Sequence, residues 1–284
     1  MVNLMAAATL LIAPTADTLL VSPDWLAGQP AGRPLTILHA ARTAAAFDSA
    51  HVPGARPVLL SAITETHGTT VTELPAAETL RTVLGAAGVG DKGLIVVYGA
   101  PLDAARLWFT LDYLGLGGRS RIMDGGLAAW IAGGHATAGG PAPPGAGRPR
   151  VAPRADVVAT TEYVAARRDD PAVLLLDART ADEFAGRVEE AGVSRPGHIP
   201  GSTNLDWTTL MENGRFRPME ALERAFAAAG ARPDREIVAL CRSGTRAAAL
   251  YVAARLLGYR TRLYDGSMNE WSSRADLPVA REYP

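Results

Sequence analysis

The chain contains very little cysteine: one residue, Cys241, among 284. A single thiol excludes an intramolecular disulfide framework and any metal cage built from several cysteines. It also fits a reducing compartment, so we expect a cytoplasmic protein. No apolar run is long enough to cross a bilayer, and the formal net charge of -1 gives no sign of a nucleic-acid partner. We therefore expect neither a membrane nor a nucleic acid as partner.

The N-terminal stretch lacks the positively charged segment that opens a secretory signal. Residues 1–15 are mildly apolar, and we interpret them as a short extension, with a cleaved signal as the alternative. The remaining composition, 48% apolar and 20% charged, is typical of a globular protein. A chain of this length suggests two domains of ordinary size or one large domain.

The sequence repeats itself, which decides between these two possibilities. His51–Ala55 reads HVPGA, and His198–Ser202 reads HIPGS. The Asp-Gly-Gly that begins at Asp124 is followed by Trp130, just as the Asp-Gly-Ser that begins at Asp265 is followed by Trp271. Because these pairs occur in the same order at similar offsets, two homologous halves are predicted.

A segment rich in Pro, Gly and Ala separates the halves and shows no hydrophobic period. Such a composition is typical of an extended linker. We predict a first domain at residues 16–140, a linker at 141–155 and a second domain at 156–284.

Short apolar runs alternate with amphipathic segments in each half. Ala172–Ala178 reads AVLLLDA, a fully buried strand, and Thr180 with Glu183 forms a capping box at the start of the next helix. This alternation predicts an α/β fold in which each half is a mostly parallel sheet flanked by helices on both faces. Ligands of such sheets bind outside the C-terminal ends of the strands, and Cys241 follows the strand Glu236–Leu240 at such an end.

The thiol begins the loop CRSGTR, which runs from this strand into an alanine-rich helix. A thiol reacts as its thiolate, and the amides and dipole at a helix N-terminus favour that anion. Gly244 allows a tight turn, and Ser243 or Thr245 can cap the helix. The alternative is a small buried apolar side chain. The residues expected to bind the substrate here are Arg242, Ser243, Gly244, Thr245 and Arg246.

Four motifs together resemble rhodanese domains: this loop, GHIPG at Gly197–Gly201, LLDAR at Leu175–Arg179, and the repeated Asp-Gly segment with its Trp. The resemblance implies two tandem rhodanese-like domains and a sulfurtransferase of the thiosulfate or 3-mercaptopyruvate type. It implies that Cys241 takes a sulfane sulfur from a small-molecule donor, becomes a persulfide and passes the sulfur to cyanide or a thiol. No metal or organic cofactor is implied, and the oligomeric state is left open.

The first half departs from this pattern, and we predict that it is inactive. An alignment without gaps places Tyr98 at the position of Cys241 and His39 at the position of Asp177. The local loop has no thiol and contains an acidic residue, Asp103.

The resemblance also implies that an arginine after the LLDAR motif holds the anionic group of the donor. Glu183 stands where the mercaptopyruvate enzymes have arginine, so we expect Arg187 to fill this role. Asp177 and Arg179 are expected to organise the loop by pairing with each other. For Arg246, pairing with an acidic neighbour is the alternative to substrate contact.

The donor is predicted from the loop itself. Arg242 is typical of thiosulfate-type loops and Ser243 of mercaptopyruvate-type loops, and two cations suit a small dianion, so thiosulfate is favoured. Phosphatases of related fold have arginine at the sixth position after the cysteine, where this chain has Ala247. A persulfide carrier or interaction module without turnover of small donors is the alternative of another class.

Overall fold

The computed structural model describes residues 19–68 and 70–282. The extension predicted for residues 1–15 lies outside this range, as does the predicted start of the first domain.

The described residues of the first half form seven strands and five α-helices. The strands are β1 (Leu20–Val21), β2 (Leu35–Ala41), β3 (Arg56–Leu59), β4 (Glu65–His67), β5 (Thr70–Glu73), β6 (Leu94–Gly99) and β7 (Ser120–Met123). The helices are α1 (Pro23–Ala27), α2 (Ala44–Ser49), α3 (Ala77–Ala86), α4 (Pro101–Tyr113) and α5 (Gly126–Ala132). Two short 3₁₀ helices span Leu60–Ala62 and Gly117–Arg119.

The second half repeats this order. Its strands are β8 (Val158–Ala159), β9 (Val173–Asp177), β10 (Thr203–Asn204), β11 (Met211–Glu212), β12 (Arg215–Phe216), β13 (Glu236–Leu240) and β14 (Thr261–Tyr264). Its helices are α6 (Thr161–Arg167), α7 (Ala181–Ala185), α8 (Met219–Ala228), α9 (Thr245–Leu256) and α10 (Ser267–Ser273). Further 3₁₀ helices span Ala155–Val157 and Trp207–Leu210.

Each half forms one five-stranded parallel sheet. The strand order is β1-β7-β6-β2-β3 in the first and β10-β9-β13-β14-β8 in the second, which is the same arrangement. Two antiparallel hairpins, β4–β5 and β11–β12, stand apart from these sheets. The predicted pair of mostly parallel α/β sheets is therefore confirmed.

The two sheets share one apolar core. Side chains alternate along each strand, so that Val97 belongs to the shared core whereas Val96 and Tyr98 belong to a separate cluster on the outer face. Helices α4 and α9 pack against each other between the sheets. The ring of Tyr251 in α9 lies edge-on to Phe109 in α4, with centroids 5.0 Å apart. The small residues of α9 allow the two helices to approach closely.

Repeated motifs stabilise equivalent turns in both halves. The Nδ1 atom of His51 lies 3.0 Å from the Phe47 carbonyl oxygen, and Nδ1 of His198 lies 2.9 Å from the Phe184 carbonyl oxygen. Each histidine ring stacks on that phenylalanine at 3.9 Å. The capping box predicted at Thr180 and Glu183 is confirmed.

The proline-rich segment between the sheets follows the surface of the first half. The Gly145 amide donates to the Ala86 carbonyl at 3.0 Å, and the Ala152 amide donates to the Leu114 carbonyl at 2.9 Å. These bonds fix the path of a segment that forms neither helix nor strand between residues 141 and 154.

Candidate active site

Cys241 lies one residue beyond the C-terminal end of β13, and only 1% of its surface is exposed. Four residues later α9 begins, with Gly244 at its N-cap in the left-handed conformation. No side chain caps this helix among the described residues, so the cap predicted from Ser243 or Thr245 is not present. The amides of the first turn are therefore free of a competing side-chain acceptor.

The carbonyl groups of the loop are held on the side away from its concavity. The Cys241 carbonyl accepts from the Met268 amide at 3.1 Å, and the Arg242 carbonyl accepts from the Asn269 amide at 2.9 Å. The Ser243 carbonyl accepts from the hydroxyl of Thr72 in the first half. In a trans peptide the C=O and the following N–H point in opposite directions. These three bonds therefore turn the next three amides into the concavity.

The loop amides form an anion-binding cradle. In the described part of the chain, the amides from Arg242 to Ala247 have no protein acceptor, whereas the Cys241 amide donates to Ser267 Oγ at 3.1 Å. Helix α9 is 12 residues long, so its dipole adds partial positive charge at the same place. Successive unpaired amides at a helix N-terminus bind anions.

Gly244 is required at its position for two reasons. Its φ of +82° favours glycine, and a Cβ atom would lie 2.3 Å from Asp265 Oδ1 and 3.0 Å from Arg106 Nη1. Arg106 and Asp265 form a buried ion pair, and the loop backbone therefore packs directly against it.

Arg246 points to carboxylates. Its Nη1 lies 2.6 Å from Glu183 Oε2, and its Nη2 lies 2.8 Å from Glu190 Oε1. Burial alone lowers the pKa of this guanidinium, but the Glu183 hydrogen bond and the Cys241, Glu183 and Glu190 charges raise it above its ordinary value. The alternative foreseen for Arg246, pairing with an acidic neighbour, is what the structure shows.

The two carboxyl groups that flank Arg246 have pKa values shifted in opposite directions. Burial, followed by the hydrogen bond to Glu183, raises the pKa of Glu190. Burial also acts to raise the pKa of Glu183, but the hydrogen bonds from Glu190 and Arg246 hold it below its ordinary value. Glu183 is therefore the carboxylate that stays ionised beside Arg246.

Asp177 and Arg179 form a fully buried pair beside the loop. Arg179 Nη2 lies 2.7 Å from Asp177 Oδ2, and the Arg179 amide donates to Asp177 Oδ1 at 3.0 Å. Arg179 also reaches Glu190 at 2.9 Å and the Gly197 carbonyl at 2.7 Å. Glu190 thus joins Arg179 to Arg246, a role that its loop sequence does not indicate.

The other two arginines occupy different places. Arg242 Nη1 donates to the Ala191 carbonyl at 3.3 Å, and no ion pair among the described residues involves its guanidinium. Arg187 pairs with Asp182 at 3.0 Å and lines a groove of about 380 Å³ beside β10. No hydrogen bond or ion pair in the described ranges joins Arg187 to the Cys241 loop, so the structure does not place it with the other candidates.

The first half contributes residues that the sequence analysis missed. Arg106 of α4 is 1% exposed and binds both carboxylate oxygens of Asp265, with 3.0 Å between Nη2 and Oδ2. Its Nη2 also donates to the Thr72 carbonyl at 2.6 Å, and the Leu74 amide donates to Asp265 Oδ2 at 2.7 Å. The sequence signal for this residue was an arginine in a mostly apolar helix, at a position where the repeated helix has alanine.

This geometry can be compared with known proteins. The family model of the rhodanese-like domain matches residues 22–133 and 160–274, which together exceed half of the chain. The chain belongs to the rhodanese-like family. The motifs from which the resemblance was inferred lie within these two matches, and the prediction of a tandem rhodanese-like protein is confirmed.

Curated relatives match the chain over most of its length. It is 31% identical to the 3-mercaptopyruvate sulfurtransferase of Escherichia coli K12, covering 92% of this chain and 98% of that protein. It is also 31% identical to the thiosulfate sulfurtransferase of Corynebacterium glutamicum, and that match covers 92% of this chain and 89% of that protein. The expected class, sulfurtransferase, is thereby confirmed, whereas relatives of both kinds leave the donor open.

A solved structure supports the fold alone. The anaerobic ergothioneine biosynthesis enzyme from Chlorobium limicola, in complex with trimethyl histidine, superposes with a TM-score of 0.83 at 21% identity. The match covers 93% of this chain and 70% of that one. Within the described residues, no helix of this rhodanese-like protein is long and apolar enough to span a bilayer.

The register of the two rhodanese-like sheets corrects the alignment of the halves. His39 pairs with Tyr98 in the first sheet, and Asp177 pairs with Leu240 in the second. Gly99, and not Tyr98, therefore occupies the position of Cys241. The ungapped alignment fails because α4 begins two residues after Gly99, whereas α9 begins four residues after Cys241.

The equivalent site of the first rhodanese-like domain is closed by its own side chains. Asp103, in the first turn of α4, accepts from Arg42 at 2.6 Å and 3.0 Å. Pro101 removes one amide from the same turn. His39 stacks on Tyr98 at 4.6 Å, and burial, followed by the charge of His51, lowers its pKa to about 4. Among the described residues, no thiol stands at this place, and the Asp103–Arg42 pair occupies the helix N-terminus.

Proposed function

We propose that this rhodanese-like protein transfers a sulfane sulfur from thiosulfate to cyanide or a thiol acceptor through a persulfide on Cys241. Residues 156–284 form the catalytic domain in this proposal, residues 16–140 the non-catalytic domain, and residues 141–155 the linker. A single thiol that must stay unoxidised to react suits a reducing compartment, and we propose a cytoplasmic location on that ground.

The observation that carries the proposal is the loop at Cys241. The thiol stands at the C-terminal end of a central strand, below amides that have no acceptor in the described part of the chain. A thiolate, the terminal sulfur of a persulfide and a departing sulfite are all anions, and one cradle of amides stabilises each of them. Cys241 is the nucleophile, and Ser243, Gly244 and Thr245 contribute backbone amides.

The reaction balances without a cofactor. The Cys241 thiolate attacks the sulfane sulfur of thiosulfate, the new S–S bond forms, and sulfite leaves with the electron pair of the broken bond. Cyanide then attacks the terminal persulfide sulfur. Thiocyanate leaves, and the Cys241 thiolate is regenerated.

We assign to Arg242 the role of binding the anionic sulfur donor. Arg246 is engaged by Glu183 and Glu190, and Arg179 by Asp177 and Glu190, whereas Arg242 has no carboxylate partner among the described residues. The expectation that Arg187 holds the donor is replaced by this assignment, because Arg187 pairs with Asp182 beside β10.

The charge around the loop favours thiosulfate over 3-mercaptopyruvate. Thiosulfate carries its charge next to the reacting sulfur, within reach of the amides and Arg242. Mercaptopyruvate carries its carboxylate two carbons away and needs a second cation there. On the flank formed by Glu183 and Glu190, the arginines are already neutralised. Mercaptopyruvate remains the alternative donor, and a persulfide carrier loaded by a partner protein is the alternative of another class.

The test is thiocyanate formation from cyanide, with thiosulfate and 3-mercaptopyruvate compared as donors at equal concentration. We expect the wild-type protein to form thiocyanate, with a higher kcat/KM for thiosulfate than for 3-mercaptopyruvate. We expect Cys241→Ser to form no thiocyanate with either donor. A preference for mercaptopyruvate would reverse the donor assignment. Wild-type turnover with neither donor would favour the persulfide carrier.

A further inference from the structure

We propose that Arg106 of the non-catalytic domain is a positioning residue for the Cys241 loop. The inference rests on the proposed function and deepens it, because it assigns the first domain a part in the reaction. Arg106 does not reach the thiol. It acts through Asp265, Thr72 and the backbone of Gly244.

Arg106 is the centre of a buried network between the two domains. Both of its terminal nitrogens bind the Asp265 carboxylate, and Nη2 also donates to the Thr72 carbonyl at 2.6 Å. The same carboxylate accepts from the Leu74 amide at 2.7 Å. Asp265 follows β14 in the second domain, whereas Arg106 and Thr72 belong to the first. A bidentate arginine–carboxylate pair fixes direction as well as distance.

Two contacts transmit this geometry to the active-site loop. Thr72 donates its hydroxyl to the Ser243 carbonyl, which turns the Gly244 amide into the cradle. Gly244 lies directly on the ion pair, because a Cβ atom there would stand 2.3 Å from Asp265 Oδ1 and 3.0 Å from Arg106 Nη1. The Arg106 guanidinium thus packs directly against the backbone of the Cys241 loop.

The backbone of Thr72 supports a functional reading of this network. Its φ is +65°, a left-handed conformation that is unfavourable for a β-branched residue. Such conformations persist where the surrounding contacts hold them, and they cluster at functional sites. Here the Thr72 carbonyl is held by Arg106 while its hydroxyl reaches Ser243.

The network serves one site only. In the repeat, Arg106 corresponds to Ala249, so helix α9 has no arginine at the equivalent position. Asp124, which corresponds to Asp265, accepts from the Phe216 amide at 3.1 Å instead. A buried arginine at this helix position therefore occurs in the domain that faces the thiol loop, whereas the charged neighbour of Asp124 is Arg215 of strand β12.

The test compares Arg106→Met and Arg106→Lys with a matched control, Arg255→Met. Arg255 is also a buried arginine at the α4–α9 contact, but it pairs with Asp112 and Tyr251 and does not touch the loop. Three kinds of measurement are made: steady-state kinetics with thiosulfate (kcat and KM), the melting temperature, and the alkylation rates of Cys241 with iodoacetate and with iodoacetamide. Cys241 is the only thiol, so alkylation reports on this site alone.

We expect Arg106→Met to lower kcat by roughly 10- to 100-fold, because a small misplacement of positioned groups has effects of that size. In this variant, the preference of Cys241 for iodoacetate, the anionic reagent, over iodoacetamide should fall towards that of a free thiol. Compared with Arg106→Met, Arg106→Lys should recover a larger share of the lost stability than of the lost kcat, because a lysine cannot make the bidentate contact. Arg255→Met should lose stability with kcat and the alkylation preference unchanged.

The proposal is overturned if Arg106→Met loses only stability, in parallel with Arg255→Met. It is also overturned if Arg106→Lys restores kcat completely. The alkylation measurement does not require sulfur transfer. A wild-type protein without turnover would therefore contradict the proposed function, while the reagent preference would still decide the role of Arg106.

Discussion

Replacing Gly244 with alanine tests how closely the Cys241 loop rests on the domain interface. The substitution adds one methyl group at a residue whose φ is +82°. That methyl carbon would lie 2.3 Å from Asp265 Oδ1 and 3.0 Å from both the Asp265 carbonyl oxygen and Arg106 Nη1. A real Cβ atom does not approach an oxygen so closely, so the loop or the ion pair must move.

The expected magnitude has two parts. A residue with a Cβ atom in the left-handed region costs about 1–2 kcal/mol. Forcing a methyl group into a closely packed site adds about 1–3 kcal/mol. Gly258 provides the control for the first part, because its φ is +80° and no atom lies within 4 Å of the added carbon.

The assay is the free energy of unfolding in urea, together with kcat/KM for thiosulfate. Gly244→Ala should lose about 1–3 kcal/mol more stability than Gly258→Ala, and its kcat/KM should fall at least tenfold because the amides no longer converge. Gly258→Ala should keep its kcat/KM. Equal stabilities and equal kcat/KM values in the two variants would refute the close approach at Gly244.

Three further predictions follow from the site. Arg242→Ala should raise KM for thiosulfate about tenfold, because a charge-assisted hydrogen bond is lost, whereas Arg187→Ala should leave it unchanged; the reverse order in steady-state kinetics would restore the donor role of Arg187. Asp177→Asn should lower the free energy of unfolding by about 3 kcal/mol, because it leaves Arg179 buried beside a neutral partner, and a loss below 1 kcal/mol in urea denaturation would contradict this. Burial, followed by the charge of His51, lowers the pKa of His39 to about 4, so the unfolded state binds more protons between pH 6.5 and 4 and the folded state loses stability as pH falls. At pH 5 this loss is about 2 kcal/mol relative to pH 7, and His39→Gln should abolish it; equal losses in both proteins would exclude His39 as the cause.

The local features of the fold were predictable because they are written in short stretches of sequence. The strand before Cys241, the glycine at the turn and the capping box at Thr180 each depend on a few neighbouring residues. The two-domain arrangement was predictable because the motifs repeat in the same order.

Contacts between distant residues were not predictable from one sequence. Arg106 and Asp265 are separated by 159 residues, and Thr72 and Ser243 by 171. No regular spacing in the sequence predicts either contact, because the residues of each pair meet only when the two domains pack together through α4 and α9. The neutralisation of Arg246 depends in the same way on Glu190, in a loop without a periodic pattern.

The alignment of the halves shows why a residue count cannot replace a sheet register. The helices agree when counted from their shared Leu-Gly, but the loop before α4 is shorter than the loop before α9. Only the pairing of β2 with β6 and of β9 with β13 reveals that Gly99 stands at the thiol position.

The central claim is that Cys241 carries the transferred sulfur. The most direct test is the intact mass of the protein after incubation with thiosulfate and removal of the excess, and again after addition of cyanide. The account predicts that wild-type protein gains the mass of one sulfur atom and loses it to cyanide, whereas Cys241→Ser gains nothing. A mass gain in Cys241→Ser, or no gain in wild-type protein with either thiosulfate or 3-mercaptopyruvate, would contradict it.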